Sequence, residues 1–325
     1  MKTIAYVTFG EPEAVLYVSD TDKPSAAAGE VLLRMVLSPI HNHDLWTTRG
    51  KYGYKPDLPA QGGTEALGIV EAVGEGVDTE LIGKRVVAAG VQASWSAYFT
   101  AKAEAIVPLP DQISDEVGCQ LIAMPFSALA LLEFLDVQKG DWVIQTASNG
   151  TVGKVFADLA KARGINTLNL VRRAEAVSEL QDLGFANVLS TSEDGWQNKA
   201  RTIIGDTGAR AAVDSVGGPV VEDIAELLGV DGLLVVFGSG AGVPLQLSAM
   251  TMISKHLVVK GFWGSRVIGD MPADEKRRLI VELVTLAAKN ELRLSAGGIF
   301  PLEDIKSAVE ASLTAGKSGK ILLRP

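Results

Sequence analysis

Hydrophobic and polar positions change rhythm about a third of the way along the chain. Before residue 120, short apolar runs are cut by glycine and proline. Val31-Leu32-Leu33-Arg34-Met35-Val36-Leu37 stops at Pro39, and Ala66-Leu67-Gly68-Ile69-Val70-Glu71-Ala72-Val73 stops at Gly74. Lys84-Arg85-Val86-Val87-Ala88 and Ala97-Tyr98-Phe99-Thr100 repeat the pattern. Such segments predict short β-strands in an irregular barrel or sandwich.

After residue 120 the apolar runs alternate with helical periods. Asp141-Trp142-Val143-Ile144-Gln145 reads as a strand, residues 155–163 as a helix closed by Gly164, and Thr167-Leu168-Asn169-Leu170-Val171 as the next strand. A helix over 174–183 closed by Gly184 follows, then strands at Asn187-Val188-Leu189, Ala211-Ala212-Val213-Asp214, Leu233-Leu234-Val235-Val236 and Leu257-Val258-Val259-Lys260. Strand–helix alternation at this spacing predicts an α/β fold with a doubly wound parallel sheet. Two amphipathic helices close the chain. Leu279, Ile280, Leu283, Val284 and Ala287 share a face of one; Leu302, Ile305, Val309 and Leu313 share a face of the other, which stops at Gly316 before a last strand, Ile321-Leu322-Leu323.

Composition narrows the function classes. A net charge of −9 argues against nucleic acid, whose phosphates an acidic surface repels. The single cysteine, Cys119, forbids an internal disulfide and a cysteine-based structural zinc. The N-terminal residues lack the apolar core of a secretory signal, and no run is long enough to span a membrane. The expectation is a soluble cytoplasmic protein with a small-molecule partner.

Candidate chemistry centres on Ala147-Ser148-Asn149-Gly150-Thr151-Val152-Gly153, between a strand and a helix. Glycines there let the backbone approach a pyrophosphate, and the following helix offers free N–H groups. Ser148 stands where the usual fingerprint has its first glycine, and an ordinary strand–helix turn is the competing explanation. The second strand ends in Val171-Arg172-Arg173, about 20 residues on, where NAD-binding proteins carry an acid for the ribose hydroxyls. No acid lies in 169–174, and Arg172 and Arg173 can grip a 2′-phosphate, so NADPH is expected over NADH. Two solvated arginines at a helix start are the alternative. The turns Asp214-Ser215-Val216-Gly217-Gly218 and Phe237-Gly238-Ser239-Gly240 also sit at strand ends, within reach of a dinucleotide.

With these motifs the sequence resembles the medium-chain dehydrogenase/reductase superfamily over nearly its whole length. Gly63-Thr64-Glu65-Ala66-Leu67-Gly68-Ile69-Val70, residues 147–153 and 214–218, and their order carry the resemblance. It implies a Rossmann domain (120–264) inserted in a GroES-like β-rich catalytic domain (1–119 and 265–325). Within the superfamily the chain is similar to the 2-enoyl thioester reductases. Their nucleotide site resembles residues 140–149 and 167–172, and their substrate-side signature resembles Lys260-Gly261-Phe262-Trp263. The segment bearing their catalytic tyrosine is similar to Gly50-Lys51-Tyr52-Gly53 with Leu58-Pro59-Ala60. One departure stands out: the subfamily's Ser-Pro-Ile/Val-Asn-Pro-Ser-Asp is Ser38-Pro39-Ile40-His41-Asn42-His43-Asp44 here, with His41 in place of Asn.

The resemblance implies NADPH-dependent reduction of the double bond of an α,β-unsaturated carbonyl, an enoyl thioester or enone. Tyr52 is then the donor to the enolate oxygen or the proton source for the α-carbon, and His41 or His43 orients the substrate or relays a proton. Phe237, Gly238, Phe262 and Trp263 join the cofactor-binding set, Trp263 as an apolar wall or as a core residue. Zinc alcohol dehydrogenases hold catalytic zinc at positions that correspond to His41, Thr64 and Met124. Threonine and thioether are poor zinc ligands, so no metal is expected; a rebuilt site of His41, His43 and Glu65 is the competing arrangement. The rival functions are a quinone oxidoreductase, a zinc alcohol dehydrogenase and a non-catalytic, crystallin-like nucleotide-binding protein. A homodimer is expected by analogy, through 233–236 or 257–260 as a sheet edge.

Overall fold

The computed structural model describes every residue except Ala315 and Ser318. In chain order the early elements are β1 (Lys2–Tyr6), α1 (Pro12–Val15), β2 (Tyr17–Asp20), β3 (Glu30–Pro39), α2 (Asn42–Thr48), β4 (Ala60–Gln61), β5 (Glu65–Val73), β6 (Arg85–Ala89), β7 (Tyr98–Lys102), β8 (Ile106–Pro108) and α3 (Asp115–Gly118). The middle holds α4 (Ala123–Phe134), β9 (Trp142–Gln145), α5 (Thr151–Ala162), β10 (Asn166–Val171), α6 (Glu175–Asp182), β11 (Val188–Ser190), α7 (Trp196–Ile204), β12 (Ala209–Asp214), α8 (Val220–Leu227), β13 (Leu228–Val236), α9 (Ala249–Lys255), β14 (Val258–Gly261) and α10 (Gly264–Asp270). The chain ends with α11 (Ala273–Ala288), β15 (Ala296–Pro301), α12 (Ile305–Leu313) and β16 (Lys320–Arg324).

Two compact units result. Residues 1–124, 282–290 and 294–325 form the first, and 125–281 with 291–293 the second. The sequence reading put the junctions at 119/120 and 264/265. Composition does not mark the observed ones, because α4 and α11 run through them. Residues 291–293 fall in the second unit because the Arg293 Nε donates to the buried Asp158 Oδ1 at 2.8 Å, and its guanidinium stacks on Phe185.

The second unit is a six-stranded parallel sheet in the order β11-β10-β9-β12-β13-β14. Ile144, Leu168, Leu170, Ala212 and Leu234 are fully enclosed, as strands covered on both faces require. The chain winds outward from β9 through β10 and β11, then crosses to β12. The loops after β9 and β12 therefore meet at the reversal of strand order, where open parallel sheets bind ligands. Residues 233–236 lie inside the sheet, paired on both sides, so of the two proposed edges only that at β14 lies at the sheet's margin.

The first unit holds a seven-stranded sheet, β15-β16-β3-β5-β6-β8 with β7 on β3, and a three-stranded sheet, β2-β1-β4. Its core gathers Trp95, Tyr6, Phe99, Met35 and Leu33. Leu302, Ile305 and Val309 join that core, but Leu313 does not: it lies in the last turn of α12 and is exposed. The buried Trp95 donates Nε1–H to the Pro39 carbonyl at 3.1 Å, fixing the end of β3. Gly62 lies flat on the indole, where a Cβ would stand 2.4 Å from Trp95 Cε3. Gly62→Ala is expected to cost about 1–3 kcal/mol of stability in urea unfolding; an unchanged midpoint would contradict this packing.

Candidate functional site

In the second unit, the turn after β9 builds a cradle. Ala147 takes the left-handed conformation (φ 52°), and its carbonyl accepts from Gly150 N at 2.9 Å. The left-handed position falls on a non-glycine residue, which costs about 1–2 kcal/mol. The buried Ser148 Oγ donates to the Gln145 carbonyl at 3.1 Å. Ser148 was expected to bind the cofactor; its side chain turns inward onto the Gln145 carbonyl. Gly153 must be glycine, because a Cβ would lie 2.7 Å from Ser148 Cα and 2.9 Å from Ser148 O. Gly150 occupies the N-cap of α5 without a side chain to cap it. The first N–H groups of a twelve-residue helix thus face outward beside the exposed Asn149 and Gly150, with Thr151 and Val152 half-buried behind them. This terminus suits a pyrophosphate.

Buried polar ties hold that turn. Gln145 Nε2 donates to Asn169 Oδ1 at 2.7 Å and to Gly153 O at 2.9 Å, joining β9, β10 and α5. Thr146 Oγ1 donates to Asp214 Oδ1 at 2.8 Å and accepts from Ser215 N at 2.8 Å. Asp214 also accepts from Val216 N and Gly217 N through its carboxylate, and from Phe237 N and Gly238 N through its carbonyl. One buried aspartate therefore sets the loops after β9, β12 and β13.

At the end of β10, Arg172 and Arg173 are exposed. Arg173 reaches Glu179 at 3.5 Å and Glu175 at 3.9 Å, whereas Arg172 makes no ion pair among the described residues. Lys154, one turn into α5, is a third cation of this group: burial lowers its pKa, and the charge of Glu179 opposes that shift. The expected Phe262 is buried, edge-on to Phe134 at 5.3 Å and tilted to Phe237 at 5.7 Å. Trp263 is 66% exposed, so it is no core tryptophan.

In the first unit, β3 ends at Pro39 and the chain turns into α2, whose N-cap is His41. Asp44 Oδ2 accepts from His41 N at 2.9 Å. The His41 Nε2 lies 2.7 Å from Glu65 Oε2, and both side chains are wholly enclosed. Glu65 Oε1 accepts from Ile122 N at 2.7 Å and Ala123 N at 2.9 Å. Burial pushes Glu65 up to about 7, against those two N–H groups, while burial holds His41 well below its usual range, with Lys320 acting the same way. His41, expected to orient the substrate or relay a proton, is instead enclosed and held neutral by burial. The imidazole with access to solvent is His43, with a side chain 20% exposed. It stacks on His41 (5.0 Å, 18°) and faces the Tyr52 ring at 5.8 Å. Its Nε2 lies 2.7 Å from Thr64 Oγ1, which in turn donates to Asp44 Oδ1 at 2.7 Å. Tyr52 is 39% exposed.

Of the residues of the competing zinc arrangement, His41 Nε2 meets Glu65 and His43 Nε2 meets Thr64, and no cluster of three His, Cys, Asp or Glu side chains suited to a metal occurs among the described residues. Sequence reasoning gave no role to Thr146, Lys154 or Asp44, and it named Asp214 only within a turn and Thr64 only at a zinc-equivalent position. The one available signal was an acid closing an otherwise apolar strand at Asp214.

Residues 151–280 match the family model described as zinc-binding dehydrogenase, and 27–111 that of the alcohol dehydrogenase GroES-like domain. The human mitochondrial enoyl-[acyl-carrier-protein] reductase is 31% identical over 330 residues, covering 99% of this chain and 88% of that protein. A crystal structure from Bacillus thuringiensis, described as an NADPH:quinone reductase, superposes with a TM-score of 0.91 at 29% identity, covering 100% and 98% of the two chains. Escherichia coli quinone oxidoreductase, solved with NADPH, gives 0.87 at 26% identity over the full length of both chains. The expectation of a cytoplasmic protein is overturned by the enoyl reductase comparison, since that relative is mitochondrial.

The buried pair yields a pH prediction. The raised Glu65 contributes stability that is full below pH 4.5 and lost as pH rises through about 7; the lowered His41 contributes stability present above pH 6.5 and lost as pH falls. The two slopes oppose each other between pH 4.5 and 6.5. His41→Asn removes one of them. Its deficit in urea unfolding, relative to the native chain, is expected to grow as pH rises toward 6.5. A deficit constant across that range would show that His41 is not held neutral by burial.

Proposed function

Because the chain belongs to the medium-chain dehydrogenase/reductase superfamily and is an oxidoreductase, we propose that it uses NADPH to reduce the carbon–carbon double bond of an α,β-unsaturated carbonyl compound. The observation that carries the cofactor choice is the acid-free end of β10, where Arg172, Arg173 and Lys154 gather beside a helix terminus with no side-chain cap. In this reading the N–H groups of α5 and the backbone of 149–153 receive the pyrophosphate, and Arg172 meets the 2′-phosphate. The NADPH complex of the E. coli relative supports the same choice.

When bound, the reduced nicotinamide supplies hydride to the β-carbon of the substrate. Negative charge then develops on the carbonyl oxygen and must meet a donor in place. Tyr52 is that donor, an exposed residue whose ring lies beside that of His43. A hydrogen bond rather than a metal polarises the carbonyl in this account, because Thr64 and Met124 offer a hydroxyl and a thioether, both poor zinc ligands. The enoyl reductase relative is 31% identical over nearly the whole chain, against 29% and 26% for the two quinone reductase structures, which favours a conjugated double bond over a quinone as the natural acceptor.

Steady-state kinetics with crotonyl thioester, cyclohexenone and benzoquinone test the reading. NADPH-dependent reduction of the first two is expected, with quinone the poorer acceptor. Arg172→Ala should raise the KM for NADPH roughly 10–100-fold and leave the KM for NADH almost unchanged, as loss of a charge-assisted phosphate bond implies. Equal efficiency with both cofactors, or turnover of quinones alone, would overturn it.

A further inference from the structure

The functional reading leaves open which group protonates the α-carbon. We propose that His43 is that proton donor, with Thr64 and Asp44 as the residues that position it. This rests on the conjugated-carbonyl reading above, and it assigns Tyr52 to the carbonyl oxygen alone.

Hydrogen-bond bookkeeping fixes the ring. A carboxylate only accepts, so the Thr64 hydroxyl proton is committed to Asp44 Oδ1 at 2.7 Å. The Thr64 oxygen must then accept from His43, which places a proton on Nε2 across the 2.7 Å contact. Nδ1 is left as the working nitrogen. It has no hydrogen-bond partner among the described residues and, unlike His41 Nδ1, it is not sealed from solvent. Asp44 is itself held through its second oxygen by the His41 backbone N–H. The His43 ring stacks on His41, whose Nε2 is tied to Glu65, and lies 5.8 Å from the Tyr52 ring. A fully buried pair thus serves as the platform for an imidazole that is open to solvent. Histidine at 43 belongs to the same departure from the subfamily pattern that introduces His41.

The step balances as follows. The β-carbon gains hydride, forming one C–H bond, and the π pair of the double bond shifts to give an enolate. The enolate carbon then takes the Nδ1 proton of the imidazolium, forming the second C–H bond and restoring the C=O bond. His43 is left neutral with its proton on Nε2, the tautomer that Thr64 already holds. Water at the open Nδ1 edge returns the proton. The substrate has gained two electrons and a proton beyond the hydride nucleus, and the nicotinamide has been oxidised.

The test uses 2-methylcyclohex-2-enone, whose reduction creates a stereocentre at the α-carbon, with NADPH in D2O. The native chain is expected to deliver deuterium to one face of that carbon. His43→Gln should lower kcat roughly 100-fold or more and give mixed α-configuration, while hydride still reaches a single face of the β-carbon and NADPH affinity is kept. Thr64→Val should reproduce a milder form of both effects, and Thr64→Ser should restore native behaviour; these variants keep the ring and decide the matter if His43→Gln does not fold. Native α-selectivity and rate in His43→Gln would overturn the proposal, as would scrambling by Tyr52→Phe with His43→Gln unaffected. A native chain that reduces no conjugated carbonyl would sink the functional reading itself, an outcome distinct from failure of the relay alone.

Discussion

The close contact between the first turn of α5 and the loop at 147–148 is the constraint on which the rest depends. With no Cβ at Gly153, the helix start lies against Ser148, and its N–H groups open outward instead of being capped. Such a bare helix start is destabilising by itself, and so is the left-handed Ala147. Buried polar ties offset both. Gln145 links two strands to the helix, and Thr146 with Asp214 locks the turn across the point where strand order reverses. Each of these groups is enclosed and has its partners, the condition under which a buried polar network stiffens a site rather than weakening it.

The first unit uses the same device for a different end. Glu65 and His41 are both removed from water, and each has its pKa driven toward the neutral form. They share one short contact, and Glu65 also receives the two N–H groups at the start of α4. The pair is wholly enclosed. Its effect is geometric: a fixed imidazole plane on which a second imidazole stacks.

Much of the second unit was legible in the sequence. Parallel strands covered on both faces become unbroken apolar runs, and glycines at 164 and 184 close the helices between them. Helix α2 was not legible, because seven residues beginning in a Pro-Ile-His-Asn segment carry too short a period to detect. That omission misdirected the reading of the two histidines. In an extended strand they would point the same way; in a helix start, one becomes the enclosed N-cap and the other keeps access to solvent. The orientation of Ser148 was equally illegible: its position matched the motif, but its side chain bonds back to Gln145. The pairing of Thr146 with Asp214 joins residues 68 positions apart, and no local pattern records such a pair.

The most direct test of the account is calorimetric titration of the purified protein with NADPH. Saturable binding of one molecule per chain is expected, and Gly153→Val, which fills the space between α5 and Ser148, should abolish it while the rest of the fold persists by circular dichroism. Absence of saturable binding, or undiminished binding by a folded Gly153→Val protein, would contradict the claim that this helix terminus is built to receive a dinucleotide.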